Sequence, residues 1–97
     1  MEQVHHVSGR NCGKILLYAL STCVWCRKTK NLLAELGVAY DYIDVDLLTG
    51  QAQLDVSAEL KKWNPQHSFP TLVVDDSKCI LGFNESEIRE TLINGKP

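Results

Sequence analysis

Residues 21–28 read STCVWCRK, and the fold turns on where this stretch places Cys23 and Cys26. Ahead of it, KILLYAL (14–20) is a short apolar run without a helical period, which predicts a buried strand. Behind it, Leu32, Leu33 and Leu36 fall at helical spacing, with Arg27, Lys28, Lys30 and Glu35 assigned to other faces. Gly37 supplies a helix stop, and the hydroxyl of Thr22 is the expected cap at the start. The two cysteines therefore sit where a strand hands over to a helix. Positions three apart share a helix face, so their sulfurs can reach each other.

The rest of the chain continues this alternation. YDYIDVD (40–46) alternates apolar and acidic residues with one slip at Ile43, and still predicts a strand. A second helix is expected over 51–63, with Leu54, Ala58 and Leu60 turned inward, ended by Asn64-Pro65. TLVVDD (71–76), DDSK and CILGF (79–83) read as strand, turn and returning strand. In NESEIRETLING (84–95), Asn84 with Glu87 three residues later is a capping signature; Ile88 and Leu92 share a face and Gly95 closes the helix. QVHHV (3–7), followed by the turn formers SGRNCG, reads as an additional strand folding back as a hairpin.

The order β-α-β-α-β-β-α implies a parallel, right-handed strand–helix–strand unit followed by an antiparallel hairpin. The expected fold is α/β: a mixed four-stranded central sheet flanked by helices, with room for an extra N-terminal strand. One domain is expected over 1–97, with its core at 14–94 and an extension or hairpin strand at 1–13.

Composition narrows the function. A net charge of −2 with interspersed signs gives no electrostatic reason to expect nucleic acid. No apolar run approaches the roughly 20 residues of a membrane span. MEQVHHVSGRNCG lacks the basic start and apolar centre of a signal peptide, so a cytoplasmic location is expected. In that compartment four cysteines point to catalysis, metal binding or burial rather than to structural disulfides.

Cys23 at the mouth of the helix meets free N–H groups carrying partial positive charge, a setting that favours thiolate over thiol. Arg27, Lys28 and Lys30 add positive charge nearby. Such a thiolate attacks a disulfide, and Cys26 behind it then resolves the mixed disulfide. The alternative is a metal or iron–sulfur cluster module using the same two cysteines. Zinc prefers four ligands, commonly from two such pairs. There is no second C-x-x-C, and Cys12, Cys79, His5 and His6 lack a ligand spacing.

With these residues in view, the chain resembles the glutaredoxins of the thioredoxin-fold superfamily. LYALSTCVWC resembles the family's strand and active-site loop, DYIDVD its second strand, SFPTLVV the proline loop before the third, and LGFNESEI the turn before the last helix. The resemblance implies thiol–disulfide oxidoreductase activity, with Cys23 as nucleophile and Cys26 as resolving residue. It also implies a cis bond between Phe69 and Pro70, and a substrate cleft framed by Trp25, Ser68, Phe69, Pro70, Gly82, Phe83, Asn84 and Glu85. No tightly bound cofactor and no metal are implied. The expected partner of a monomer is a disulfide-containing protein, with glutathione or a thioredoxin-reductase-like flavoprotein as reductant.

Three departures bear on the reductant. Leu20 stands where many glutathione-using members have a lysine, which removes a point charge for a glutathione carboxylate. Val24-Trp25 replaces the frequent Pro-Tyr. Leu81-Gly82-Phe83 followed by Asn84-Glu85-Ser86 replaces a Gly-Gly turn with an acidic pair. Together they tilt the expectation toward a protein reductase, with Trp25 as a contact for it. Cys79 and Trp63 read as packing residues, Cys12 as an exposed turn residue, and His5 and His6 as a partly exposed edge.

Overall fold

The run at 14–20 becomes the middle strand of a five-stranded sheet. The computed structural model describes residues 4–66 and 68–94. Its strands are β1 (His5–Val7), β2 (Ile15–Ala19), β3 (Tyr40–Asp44), β4 (Thr71–Val74) and β5 (Lys78–Leu81). They lie in the order β1-β3-β2-β4-β5. Only β2 and β3 run parallel, joined through helix α1 (Val24–Leu36); the other pairs are antiparallel. Helix α2 (Gly50–Trp63) follows β3 through a short 3-10 turn at Val45–Leu47, and α3 (Glu85–Arg89) continues into a wider turn at Glu90–Asn94. The Gly95 helix stop and Gln3 of the N-terminal strand expected from the sequence lie outside the described residues.

A central strand has two covered faces, and its side chains divide between two cores. Ile15, Leu17 and Ala19 join Leu72, Val74 and Ile80 against Cys26 and Leu33 of α1 and Ile88 of α3. Tyr18, Ile43 and Val73 pack on the other side with Val56 and Leu60 of α2. This explains the slip at Ile43. Tyr40 and Tyr42 belong to the first core and Ile43 to the second, so β3 carries apolar residues on both faces.

Four sequence expectations change. The N-terminal strand does not form a hairpin with β2. It pairs with β3, His5 opposite Tyr42 and Val7 opposite Tyr40, because both edges of β2 are already taken by β3 and β4. In α2, Leu54 is 64% exposed and Ala58 is exposed; the inward stripe is Ala52, Val56 and Leu60. Residues two apart point to opposite sides of a helix, so once Val56 faces the sheet, Leu54 and Ala58 cannot. Cys12 is buried in the first core rather than exposed. Lys30 leaves the outer face of α1 and reaches the sheet, where its ammonium meets Asp44. Gly37 does end α1, in the left-handed conformation (φ 70°) that a side chain would disfavour.

Candidate active site

The start of α1 is held by a cysteine rather than by Thr22. Cys23 is the N-cap, with extended backbone (φ −83°, ψ 123°), and its sulfur accepts the Cys26 N–H at 3.2 Å. A sulfur takes the place that a hydroxyl or carboxylate oxygen usually fills. Behind the cap, Cys23 N–H donates to the Leu20 carbonyl at 3.2 Å. Ser21 donates through its N–H (2.8 Å) and hydroxyl (2.6 Å) to the carboxylate of Asp46 in the 3-10 turn. The hydroxyl bond first, then the backbone bond, lowers the Asp46 carboxyl below its usual range. The end of β3 thereby pins the loop that presents Cys23.

Cys23 is partly exposed and Cys26 fully buried, and all four cysteines are free thiols. The Leu20 N–H donates to the Cys26 sulfur at 3.4 Å. Burial, and then the hydrogen bond with Cys23, push the Cys26 thiol up to about 12. One reachable sulfur therefore sits in front of one shielded, protonated sulfur, one helical turn apart.

The Phe69–Pro70 peptide is cis, as expected. Ser68 is exposed, Phe69 half-buried and Pro70 buried. The Pro70 carbonyl accepts the Gly82 N–H at 2.8 Å, tying this loop to the turn before α3. Sequence reasoning overlooked what holds the loop. Asn64, only 1% exposed, directs its amide to the Ser68 carbonyl (3.0 Å), the Ser68 hydroxyl (2.8 Å) and the Thr71 hydroxyl (3.0 Å). Its oxygen accepts the Gln66 N–H at 3.2 Å, and the Thr71 hydroxyl donates to the Ser68 carbonyl at 2.9 Å. The signal was an asparagine before a proline, which read only as a helix stop.

On the other flank, Trp25 is 54% exposed and stacks on Phe83, with centroids 6.0 Å apart; the Lys28 ammonium lies 4.8 Å from the Trp25 ring centre. Val24 beside it is also exposed. A cleft of about 280 Å³ between α1 and α3 is lined by Lys28, Asn31, Leu32, Glu35, Phe83 and Glu85. Asn84 and Glu85 are engaged by their own helix. Asn84 accepts the Glu87 N–H at 3.2 Å, and Glu85 pairs with Arg89 at 2.8 Å. A larger hollow of about 560 Å³ lies on the α2 side of the sheet, among Leu16, Tyr18, Val56 and Trp63, and includes neither cysteine of the pair. The cysteine pair thus lies at the C-terminal end of β2, away from this hollow.

A mixed sheet with helices on both faces, a cysteine pair at the head of the first helix and a cis proline before β4 define a protein of the thioredoxin-like fold. The glutaredoxin family model matches residues 15–79, and the chain belongs to the glutaredoxin family, a family of thiol–disulfide oxidoreductases. The chain is similar to a glutaredoxin from Methanosarcina mazei Go1, at 50% identity with a TM-score of 0.86, covering 94% of this chain and 88% of that one. It is similar also to Methanosarcina acetivorans methanoredoxin, at 49% identity with a TM-score of 0.85, over 89% of this chain and 90% of that one. Among curated proteins, an uncharacterised glutaredoxin-like 8.6 kDa protein in the rubredoxin operon of Clostridium pasteurianum is 31% identical, over 76% of this chain and 91% of its own length.

Proposed function

We propose that the protein reduces protein or small-molecule disulfides through the Cys23–Cys26 dithiol. The observation that carries this reading is the Cys26 N–H bonded to the Cys23 sulfur at 3.2 Å, with one sulfur partly exposed and the other buried. The Cys23 thiolate attacks one sulfur of a target disulfide. The target's S–S bond breaks, its other sulfur leaves as thiolate, and a mixed disulfide forms at Cys23. Cys26 then attacks the Cys23 sulfur and expels the target as a thiol. Two electrons have passed to the target, and the Cys23–Cys26 disulfide takes them back from a reductant.

The exposed Trp25–Phe83 stack, with Val24 beside it, is the face offered to a protein partner, since exposed aromatic side chains anchor interfaces. Phe69 and Pro70 border the opposite side, where an extended substrate backbone would lie along the loop. Ser68 and Gly82 complete this frame, whereas Asn84 and Glu85 shape it mainly by holding α3. Leu20 offers no charge to a glutathione carboxylate, which supports a thioredoxin-reductase-like flavoprotein as donor over glutathione. A cytoplasmic, monomeric protein without a resident cofactor is part of the proposal. No helix among the described residues is long and apolar enough to cross a membrane. Among the described residues no three His, Cys, Asp or Glu side chains gather as a metal-ligand set.

The test is turnover of a small disulfide under two regenerating systems: glutathione with its reductase, and thioredoxin reductase, each with NADPH. Cys23→Ser is expected to abolish turnover, and Cys26→Ser to stop at a mixed disulfide visible by mass. Activity with the flavoprotein alone supports the favoured donor, and activity with glutathione alone reverses that choice. Silence of the wild type in both systems, with metal bound in a Cys23-dependent way, would sink the redox reading.

A further inference from the structure

The exchange proposed above leaves one step unaided: Cys26 must give up its proton inside the core before it attacks. Lys30 lies four residues beyond Cys26, so the two share a face of α1, and helical side chains lean back toward the helix N-terminus. The Lys30 ammonium bonds Asp44 Oδ1 at 3.1 Å and sits 4.2 Å from the centre of the Tyr42 ring. The pair is well covered, with side chains 25% and 13% exposed. Asp44 is the register partner of Ala19 in β2, and the next residue, Leu20, donates its N–H to the Cys26 sulfur. Ammonium and sulfur are thus brought to the same end of the sheet under the same helix face. A cation withdrawn from water acts more strongly over a given distance than one at the surface.

We propose that Lys30, fixed by Asp44, is a positioning residue for the resolving step and stabilises the Cys26 thiolate as it attacks the mixed disulfide. The inference rests on the disulfide-exchange reading. The balance is simple. The Cys26 proton passes to solvent, the Cys26–Cys23 S–S bond forms, and the Cys23–target S–S bond breaks. The electron pair leaves on the target sulfur, which then takes up a proton. Other influences on Cys26 are Cys23 on its own helix, the Cys12 thiol sharing its core, the Leu20 N–H, and Asp44 acting through Lys30. Of these, the Lys30 charge and the Leu20 N–H counter the upward push of burial on the thiol.

Dithiobisnitrobenzoate, with the protein in excess, separates the two steps. One coloured thiolate is released by the Cys23 attack, and a second by resolution. In Lys30→Met the second phase is expected to slow about threefold, and by more than the first. The slowing reflects less Cys26 thiolate, partly offset by its greater nucleophilicity. The pH profile of the second phase should move to higher pH, and Lys30→Arg should restore the wild-type rate. Asp44→Asn, which frees the ammonium, should slow the second phase only. Lys30→Gln gives the same reading where Lys30→Met does not fold. An unchanged second phase, equal slowing of both phases, or equal slowing in Lys30→Arg overturns the inference. Absence of the first phase in the wild type overturns disulfide exchange itself, and the role of Lys30 with it.

Discussion

Replacing Asn64 with alanine is expected to cost more than any surface change of similar size. The side chain is buried, and its amide has two N–H groups for three acceptors: the Ser68 carbonyl and hydroxyl and the Thr71 hydroxyl. Its oxygen accepts from Gln66. Two donated bonds and one accepted bond, at about 1 kcal/mol each, give a loss of about 3 kcal/mol. In a chain of this size that lowers Tm by roughly 12–24 °C. Ser68→Ala removes one partner on the exposed side and should cost about 0.5 kcal/mol. Urea unfolding at constant m-value measures both. Asn64→Ala and Thr71→Val touch the same bond, so their effects should fall short of additivity by about 1 kcal/mol. A loss under about 1 kcal/mol for Asn64→Ala, or full additivity with Thr71→Val, would show that the loop is held by something else.

Four further expectations can be checked together. Iodoacetamide at neutral pH should label Cys23 and spare Cys26, because Cys26 is buried and its thiol is pushed up to about 12; peptide mass mapping reads this directly. Asp46 bonded to Ser21 has a lowered carboxyl pKa, so its contribution is complete above the unfolded carboxylate range and lost as pH falls through the lower folded value. The Ser21 amide resonance should therefore titrate with a midpoint below the ordinary 3.8, and Asp46→Asn should remove that transition. Gly9→Ala should destabilise by about 1–3 kcal/mol in urea, since a Cβ there would stand 2.6 Å from the Val38 carbonyl carbon and 2.7 Å from Ala39 N, both backbone atoms. Trp25→Ala should change stability by no more than about 1.5 kcal/mol, the worth of a half-exposed ring pair, while raising KM for a protein disulfide.

Much of the architecture was legible because it depends on local patterns. The apolar run at 14–20, Gly37 as a stop, Asn84 with Glu87 as a cap, and the proline after Asn64 act within a few residues of themselves. The spacing of Cys23 and Cys26 against a strand and a helix placed the cysteine pair at the head of α1 by the same means. Orientation was harder to read. Leu54 and Val56 are both apolar and two residues apart, and only the sheet decides which is covered. Thr22 and Cys23 are both able to cap, and the choice follows from Asp46 gripping Ser21 and setting where the helix begins.

By itself, the sequence determined the order of strands and helices, the place of the cysteine pair and the family. Periodicity, turn chemistry and motif spacing are properties of short segments. Tertiary structure alone decided that the first strand joins β3 and that Cys12 is covered. It likewise turned Asn64 into the pin of the proline loop and carried Lys30 inward to Asp44. Each of these depends on a partner many residues away or on which groups are withdrawn from water, and a side chain's chemistry changes with its surroundings while its letter in the sequence does not.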